Sequence, residues 1–435
     1  MSRAVSPARE AALYVLSRCR RFDAWSQQTL ESARARFALE PRDAALCSRM
    51  CLAVLQNASL CDYYIGAFSS VTVREMEPAV LDILRLGTVQ LLFMDRIPVS
   101  AAVNESVELA KRANQKTAGL VNAVLRRIAE NADRLPAIPD PGTARELSIL
   151  YSHPLWLCEK IVNERGYPFA RDYFSTNNTP GALTLTANLL RTDAVHLTEK
   201  LLAAGFEASA SELSGVSVKV GSGGAVTALP GYGEGEFFVQ DAAAAAGILA
   251  AAPQKGMRVL DACAAPGGKS LLCAGLLEGD GEIVACDLHE KKLPRIAENA
   301  SRLGIGCIRT AAMDASSPRE EFKGAFDLVI VDVPCSGMGV IRKKPEIRYK
   351  DRAQLSALPE VQLRILRGCA ACVRPGGTLL YSTCTVLREE NEGVVNAFIA
   401  GDDRFRADSM RTIWPQEYDS DGFFYCILKK NDDSQ

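Results

Sequence analysis

Four apolar runs constrain this chain more than any other feature: MRVLDAC (257–263), EIVACDL (282–288), FDLVIVDV (326–333) and GTLLYST (377–383). Each is nearly continuous rather than alternating, the pattern of a strand buried on both faces. Stretches of helical spacing separate them, as in an open, mostly parallel α/β sheet with helices on both faces. In such a sheet ligands gather outside the carboxyl ends of the strands. The residues that follow each run are therefore the ones to interrogate.

The remaining chain divides by texture. Residues 1–140 read as a helical bundle, with Val80, Ile83, Leu84 and Leu91 on one stripe. Ser100 is a candidate N-cap before the stripe Val103, Val107 and Ala110, and Val121, Val124, Leu125 and Ile128 form another. The segment PAIPDPGT (136–143) breaks the pattern. Residues 141–235 form a mixed α/β connecting portion: helical near PLWLCEKIVNERG, strand-like at ALTLTANLL, and glycine-rich at VGSGGAV. Residues 236–435 carry the α/β pattern, entered through the alanine-rich DAAAAAGILAAAP, which reads as one packed helix. The expected architecture has three parts: an all-α amino-terminal bundle, a mixed α/β linker domain, and a Rossmann-like α/β domain.

The amino terminus begins an amphipathic helix without the apolar block of a signal peptide, and no apolar run approaches the ~20 residues of a membrane span. A cytoplasmic, monomeric protein is the expectation. The 14 cysteines are scattered through 435 residues and read as free thiols. Two close pairs, Cys47 with Cys51 and Cys369 with Cys372, lack a second pair at zinc spacing, and the chain has three histidines, so no metal is expected. A net charge of −2 excludes a uniformly basic binder while leaving room for a local basic face.

The first run leads into a turn of small residues, Cys263, Ala264, Ala265, Pro266, Gly267, Gly268 and Lys269, and then a helix. Small residues there let backbone N–H groups approach a polar ligand. A Walker A loop would need a glycine at Cys263, and the G-x-G-x-x-G pattern is missing. The next strand ends in Asp287, a third leads to Asp314, and a fourth delivers Asp332. One such acid is most often a turn or cap residue. Three of them with the small-residue turn suit a nucleoside bearing a polar tail and no pyrophosphate, and S-adenosylmethionine is such a ligand.

Two runs end in thiols. Asp332-Val333-Pro334 leads to Cys335, and Thr383 to Cys384. A lone cysteine at either place would read as a small buried apolar residue. Two at neighbouring strand ends beside a methyl donor suggest covalent activation of an unreactive carbon, such as carbon 5 of a pyrimidine after thiolate addition at carbon 6. The thiolate would need help from a helix N-terminus after Thr385 or from Arg342, Lys343 or Lys344. Asp332 is placed to position the base or act as an acid at its nitrogen 3.

DACAAPGGKS, DVPCSGMGVIRKKPEIRY and YSTCTVLREENEG closely resemble the motifs of RNA 5-methylcytosine methyltransferases of the Sun/Nop2 family. The helical amino-terminal part resembles the NusB-like domain carried by the bacterial member that modifies small-subunit ribosomal RNA, and DGFFYCILKK resembles the family's last strand. The resemblance implies methyl transfer from S-adenosylmethionine to carbon 5 of a cytosine in 16S rRNA. It makes Cys384 the nucleophile and Cys335 the residue that assists product release. Residues Cys263–Lys269, with Asp287, Asp314 and Asp332, would hold S-adenosylmethionine. The family often has Gly-Asp where this chain reads Met313-Asp314.

RNA is then the expected partner, through local basic patches. The strongest is GVIRKKPEIRYK, with Arg342, Lys343, Lys344, Arg348 and Lys350 around Tyr349, a candidate for stacking on a base. SRCRRF and LRRIAE are weaker candidates on the helical part. A target cytosine must be unpaired or flipped out for a thiol to reach its carbon 6. A cytosine methyltransferase acting on tRNA or another RNA, a uracil methyltransferase, and a non-enzymatic RNA-binding or ribosome assembly factor are the rival readings. The last leaves the two strand-end thiols unexplained.

Overall fold

The computed structural model describes residues 5–22, 26–221 and 224–432, so the middle of the glycine-rich VGSGGAV turn lies outside the described residues. The chain separates into two compact units: residues 1–179 with 343–350, and residues 180–342 with 351–435.

The first unit is helical throughout its described elements. Its helices include Pro7–Phe22, Pro41–Phe68, Pro78–Leu92, Val99–Ala113, Ala118–Glu130, Leu155–Arg165 and Tyr167–Asn177. The stripes read from the sequence supply the core: Val80, Ile83, Leu84, Val121, Val124, Leu125 and Ile128 are all buried. Proline sits in the first turn of several helices, where its missing N–H costs nothing. Ser100 is not an N-cap; the helix starts at Val99 with Pro98 in the capping position. Pro41–Phe68 is long and apolar enough, by length and composition, to cross a membrane. Charged residues such as Asp43, Arg49 and Asp62 interrupt its apolar runs in the sequence. Its Met50, Cys51, Val54, Cys61 and Ile65 lie in the core of the bundle.

Residues 343–350 belong to this helical unit although both flanking segments belong to the other. Arg348 fixes them there. Its guanidinium, 1 % exposed, donates to the carbonyls of Gln56, Tyr151 and Ser152 and to Asn178 Oδ1. Tyr349 Oη donates to the Leu55 carbonyl.

The second unit holds two sheets. In the smaller, strands β1 (Leu183–Ala187), β2 (Ala208–Ala210), β3 (Ser217–Val220) and β4 (Phe237–Val239) pair antiparallel in the order β2-β3-β1-β4, with the helix Ala194–Ala203 beside them. The larger contains β5 (Arg258–Asp261), β6 (Glu282–Asp287), β7 (Ile308–Ala312), β8 (Phe326–Asp332), β9 (Val373–Thr383), β10 (Phe405–Ile413) and β11 (Phe423–Lys430). Their order is β10-β11-β9-β8-β5-β6-β7. Strands β5 to β9 are parallel; β11 pairs antiparallel with β9, and β10 pairs antiparallel with β11 at the edge. From β5 the order proceeds one way to β6 and β7, and the other way to β8 and β9. The reversal between β5 and β8 is the crevice where an open α/β sheet binds its ligand.

Helices cover both faces of this sheet, which is why its central strands lack polar alternation. Val329 and Val331 of β8 face one core, and Leu328 and Ile330 face the other. The alanine-rich run forms the packed helix Ala242–Ala251, N-capped by Asp241. Strand β10 escaped notice in the sequence because most of its residues are exposed and polar.

Candidate active site

Strand register brings the two thiols together. β8 and β9 are parallel neighbours with Asp332 opposite Ser382. The Val333 N–H then donates to the Ser382 carbonyl. Cys335 and Cys384 follow these strand ends at equivalent depth, both half-buried, with their Sγ atoms 3.0 Å apart. The Cys335 thiol is pushed well above its ordinary value. Its contact with Cys384 is the first cause and burial the second, since two sulfurs this close resist ionising together.

The small-residue turn after β5 lies on the other side of the crevice. Gly267 adopts φ +107°, a conformation that L side chains rarely hold, and a Cβ there would press on Ile296 at 3.1 Å. The helix Gly268–Leu276 starts immediately afterwards. Lys269, in its first turn, reaches Asp332: Nζ donates to Oδ2 at 2.6 Å. Ser382 Oγ donates to the other oxygen, Oδ1, at 2.8 Å. Both carboxylate oxygens of Asp332 are thus fixed, one from β5's helix and one from β9. Burial disfavours charge on Lys269, but Asp332 outweighs it and the lysine's pKa rises. The Cys384 sulfur also acts electrostatically on that ammonium group.

The other acids occupy strand ends as well. Asp287 closes β6, is buried, and accepts from the His289 N–H. Leu288 beside it is 63 % exposed, an apolar side chain left in solvent at the crevice. Asp314 follows β7 and is exposed; hydrogen bonds from the Ser316 side chain and backbone hold its carboxyl below the usual range. Behind them Asp261 ends β5, fully buried, accepting from Ser270 Oγ, and burial pushes it up to about 6.

Not every expected contact is present. No helix begins after Thr385; the next one is Glu392–Ile399. The residues between fold into turns, so a helix N-terminus does not activate Cys384. Arg342 is occupied by Asp419 at 2.5 Å and by the Pro180 carbonyl. Arg348 is spent on carbonyls of the helical unit, so it offers no solvent-facing charge for a phosphate, whereas Lys343 and Lys344 are exposed. Tyr349 keeps an exposed ring, 44 % accessible, beside a cavity of about 240 Å³ within the helical unit. In the basic run at the end of the first helix, Arg20 pairs with Asp82. Cys47 and Cys51 lie in the buried face of one helix, and among the described residues no group of three or more His, Cys, Asp or Glu is placed to hold a metal ion.

The residues that hold the two thiol loops lie outside the site residues that the sequence motifs suggest. Glu390 Oε2 accepts from the Ser336 N–H and from Gln362 Nε2. Gln362 Nε2 also donates to the Pro334 carbonyl. Asn391 receives the Thr383 hydroxyl and donates to the Thr385 carbonyl. The signal was present in the polar run that follows Cys384, whose acids and amide a solvated helix would not need to bury.

Known families match this chain part by part. Residues 6–130 match the NusB family, residues 153–227 the Methyltr_RsmF/B-like ferredoxin-like domain, and residues 248–429 the family described as 16S rRNA methyltransferase RsmB/F. A probable ribosomal RNA small subunit methyltransferase B of Bacillus subtilis is 35 % identical, the alignment covering 97 % of this chain and 98 % of that protein. The crystal structure of PH0851 shares the fold at a TM-score of 0.80 and 24 % identity, over 99 % of this chain and 100 % of that one. NSun6 from Pyrococcus horikoshii, solved with SFG, has a TM-score of 0.57 and 20 % identity over 63 % of this chain and 97 % of its own. With a relative this similar over nearly its whole length, the chain belongs to the 16S rRNA methyltransferase RsmB/F family.

Proposed function

We propose that this protein transfers a methyl group from S-adenosylmethionine to carbon 5 of a cytosine in 16S rRNA, through a covalent bond between Cys384 and carbon 6. The observation that carries the reading is the 3.0 Å pair of free thiols at adjacent parallel strand ends. Across the same sheet reversal lies a small-residue turn. The relatives named for small-subunit ribosomal RNA support that substrate and, with it, a cytoplasmic place of work. The helical unit is assigned to RNA binding.

The residues fit S-adenosylmethionine. The Cys263–Lys269 turn is built from small residues, with Gly267 in a conformation closed to other side chains. Asp287 at the tip of β6 suits ribose hydroxyls, and the exposed Leu288 suits the face of a purine. Asp314 and Asp332 complete the acidic side, which suits a ligand with a cationic centre. A fold neighbour solved with SFG, an analogue of this cofactor, is consistent with that fit. When bound, the cofactor supplies the methyl group to carbon 5.

The chain's own residues do the remainder. The Cys384 thiolate forms a bond to carbon 6, moving an electron pair through the ring so that carbon 5 becomes nucleophilic. Lys269 places positive charge beside that sulfur and holds Asp332. Asp332, fixed at both oxygens, orients the cytosine by accepting from its nitrogen edge. Once Cys384 is a neutral thioether, it no longer opposes ionisation of Cys335. Cys335 gives its proton to solvent and takes the proton from carbon 5. The electron pair of that C–H bond then restores the ring double bond, and the carbon 6–sulfur bond breaks to return the Cys384 thiolate. Exposed Lys343 and Lys344, rather than buried Arg348, are assigned to phosphates.

The test is a trapping assay with small-subunit ribosomal RNA and S-adenosylmethionine, read on a denaturing gel. Cys335→Ala is expected to accumulate a protein–RNA adduct. Cys384→Ala is expected to give neither adduct nor methylation, a loss of roughly 10⁴-fold or more. Normal methylation by Cys384→Ala would remove the nucleophile from this position and sink the proposal.

A further inference from the structure

The hydrogen-bonded cluster beneath the thiols is tied to one of them more closely than to the other. Cys335 is flanked by the Pro334 carbonyl and the Ser336 N–H. Gln362 Nε2 donates to that carbonyl at 3.1 Å, and Glu390 Oε2 accepts from that N–H at 2.9 Å. Gln362 and Glu390 meet at 2.8 Å, so one closed ring of contacts grips both peptides around Cys335. Ser336 Oγ donates to Thr385 Oγ1 at 2.8 Å, which fastens this loop to the residue after Cys384. Tyr381 Oη donates to the Glu390 carbonyl and fixes that backbone.

Glu390, Gln362, Ser336 and Thr385 are each 1 % exposed or less. Burying a carboxyl group is costly, and burial pushes the Glu390 carboxyl up even against the hydrogen bonds it accepts. An apolar pair would fill the same space more cheaply. What an apolar pair lacks is the ability to hold a carbonyl and an N–H two residues apart at a fixed spacing.

We infer that Glu390 and Gln362 are positioning residues for product release: they hold the Cys335 loop so that its sulfur faces the carbon 5 proton of the adduct. The inference rests on the proposed role of Cys335. The Cys384 turn is held chiefly by Thr383, Thr385 and Asn391, contacts that neither Glu390 nor Gln362 makes with its side chain and that meet the clamp only through Ser336. Loss of the Glu390 clamp therefore slows the second half of the reaction more than the first.

The experiment measures adduct level and turnover for full-length Glu390→Ala, Gln362→Leu and Glu390→Gln, with Cys335→Ala as reference. Glu390→Ala and Gln362→Leu are expected to accumulate adduct at least about tenfold above wild type with both cysteines intact. Their kcat should fall by 10- to 100-fold with KM for RNA falling alongside it, so that kcat/KM is nearly preserved. Glu390→Gln keeps an oxygen for Ser336 and Gln362, and is expected within about threefold of wild type. If Glu390→Ala does not fold, Gln362→Leu carries the test alone. Methylation that falls without adduct accumulation, or wild-type turnover in both clamp variants, would overturn the inference. So would a Glu390→Gln defect as deep as that of Glu390→Ala, since charge rather than position would then matter. Failure of Cys335→Ala itself to accumulate adduct would instead indict the role proposed for Cys335.

Discussion

At the scale of single residues, the site is built from groups held in costly states. Asp261 shows this most directly. It is fully buried at the end of β5, and burial raises its pKa from 3.8 to about 6. For an acid whose folded-state pKa lies above its unfolded value, the folded state binds the proton more tightly. The stabilisation is complete below the unfolded pKa, near 4, and is lost as pH rises through about 6. Between pH 5 and 8 the wild-type protein should lose stability that Asp261→Asn retains. Of the 2.2-unit shift (about 6 minus 3.8) only about one unit titrates above pH 5, so the difference over this range is about 1.4 kcal/mol. Denaturant unfolding of both proteins across that range measures it, and parallel pH dependences would show that Asp261 is ionised throughout. Asp261 sits directly behind Lys269 and Asp332 and acts electrostatically on both, which gives a reason for keeping an acid there despite its cost.

At the scale of elements, the strand ends were legible and the loops between them were not. The runs ending in Asp287, Asp332 and Thr383 announced themselves because strands buried on both faces must be apolar throughout. Their order, and the contact between the two thiols, came from β8 pairing with β9, which no local pattern records. The polar residues after Cys384 looked like the start of a solvated helix because acids favour a first turn. In the structure Glu390 and Asn391 are buried and turned inward instead. Close backbone approach was equally invisible. The Gly339 N–H donates to the Cys384 carbonyl, and the Gly422 N–H donates to the Gly339 carbonyl. A Cβ on Gly339 would run into the Gly422 carbonyl oxygen and lie 2.9 Å from that of Cys384. Both obstacles are backbone, so neither can rotate away. Gly339→Ala should therefore displace the Cys384 peptide, slowing adduct formation by about 100-fold, as misplacement of a reacting group by an ångström does. Single-turnover trapping resolves this step, and an unchanged rate would mean that the loop yields elsewhere.

At the scale of the whole molecule, the chain does not respect the boundary that its own sequence suggests. Residues 343–350 follow the Pro-Cys motif by a few positions, yet they are built into the helical unit. The basic letters of that segment invite a nucleic-acid reading, and for Arg348 that reading meets a fully buried side chain. Sequence cannot distinguish the two uses, since a guanidinium that caps several carbonyls and one that grips a phosphate need the same donors. The consequence is mechanical: the helical unit lacks one of its own core pieces unless the catalytic unit's chain supplies it. Arg348→Met would take the donor from the Ser152 carbonyl and from Asn178 Oδ1, while the Gln56 and Tyr151 carbonyls keep the Asn178 amide. Each acceptor left unpaired costs at least ~1 kcal/mol, so the helical unit should lose about 2 kcal/mol. Hydrogen exchange on the full-length protein separates the outcomes. Faster exchange confined to the helical unit around residues 56–60 and 144–178, with strands β5 to β9 still protected, is the expected result. Equal loss across both units would mean that they unfold as one body, and no loss would mean that water replaces the guanidinium at little cost.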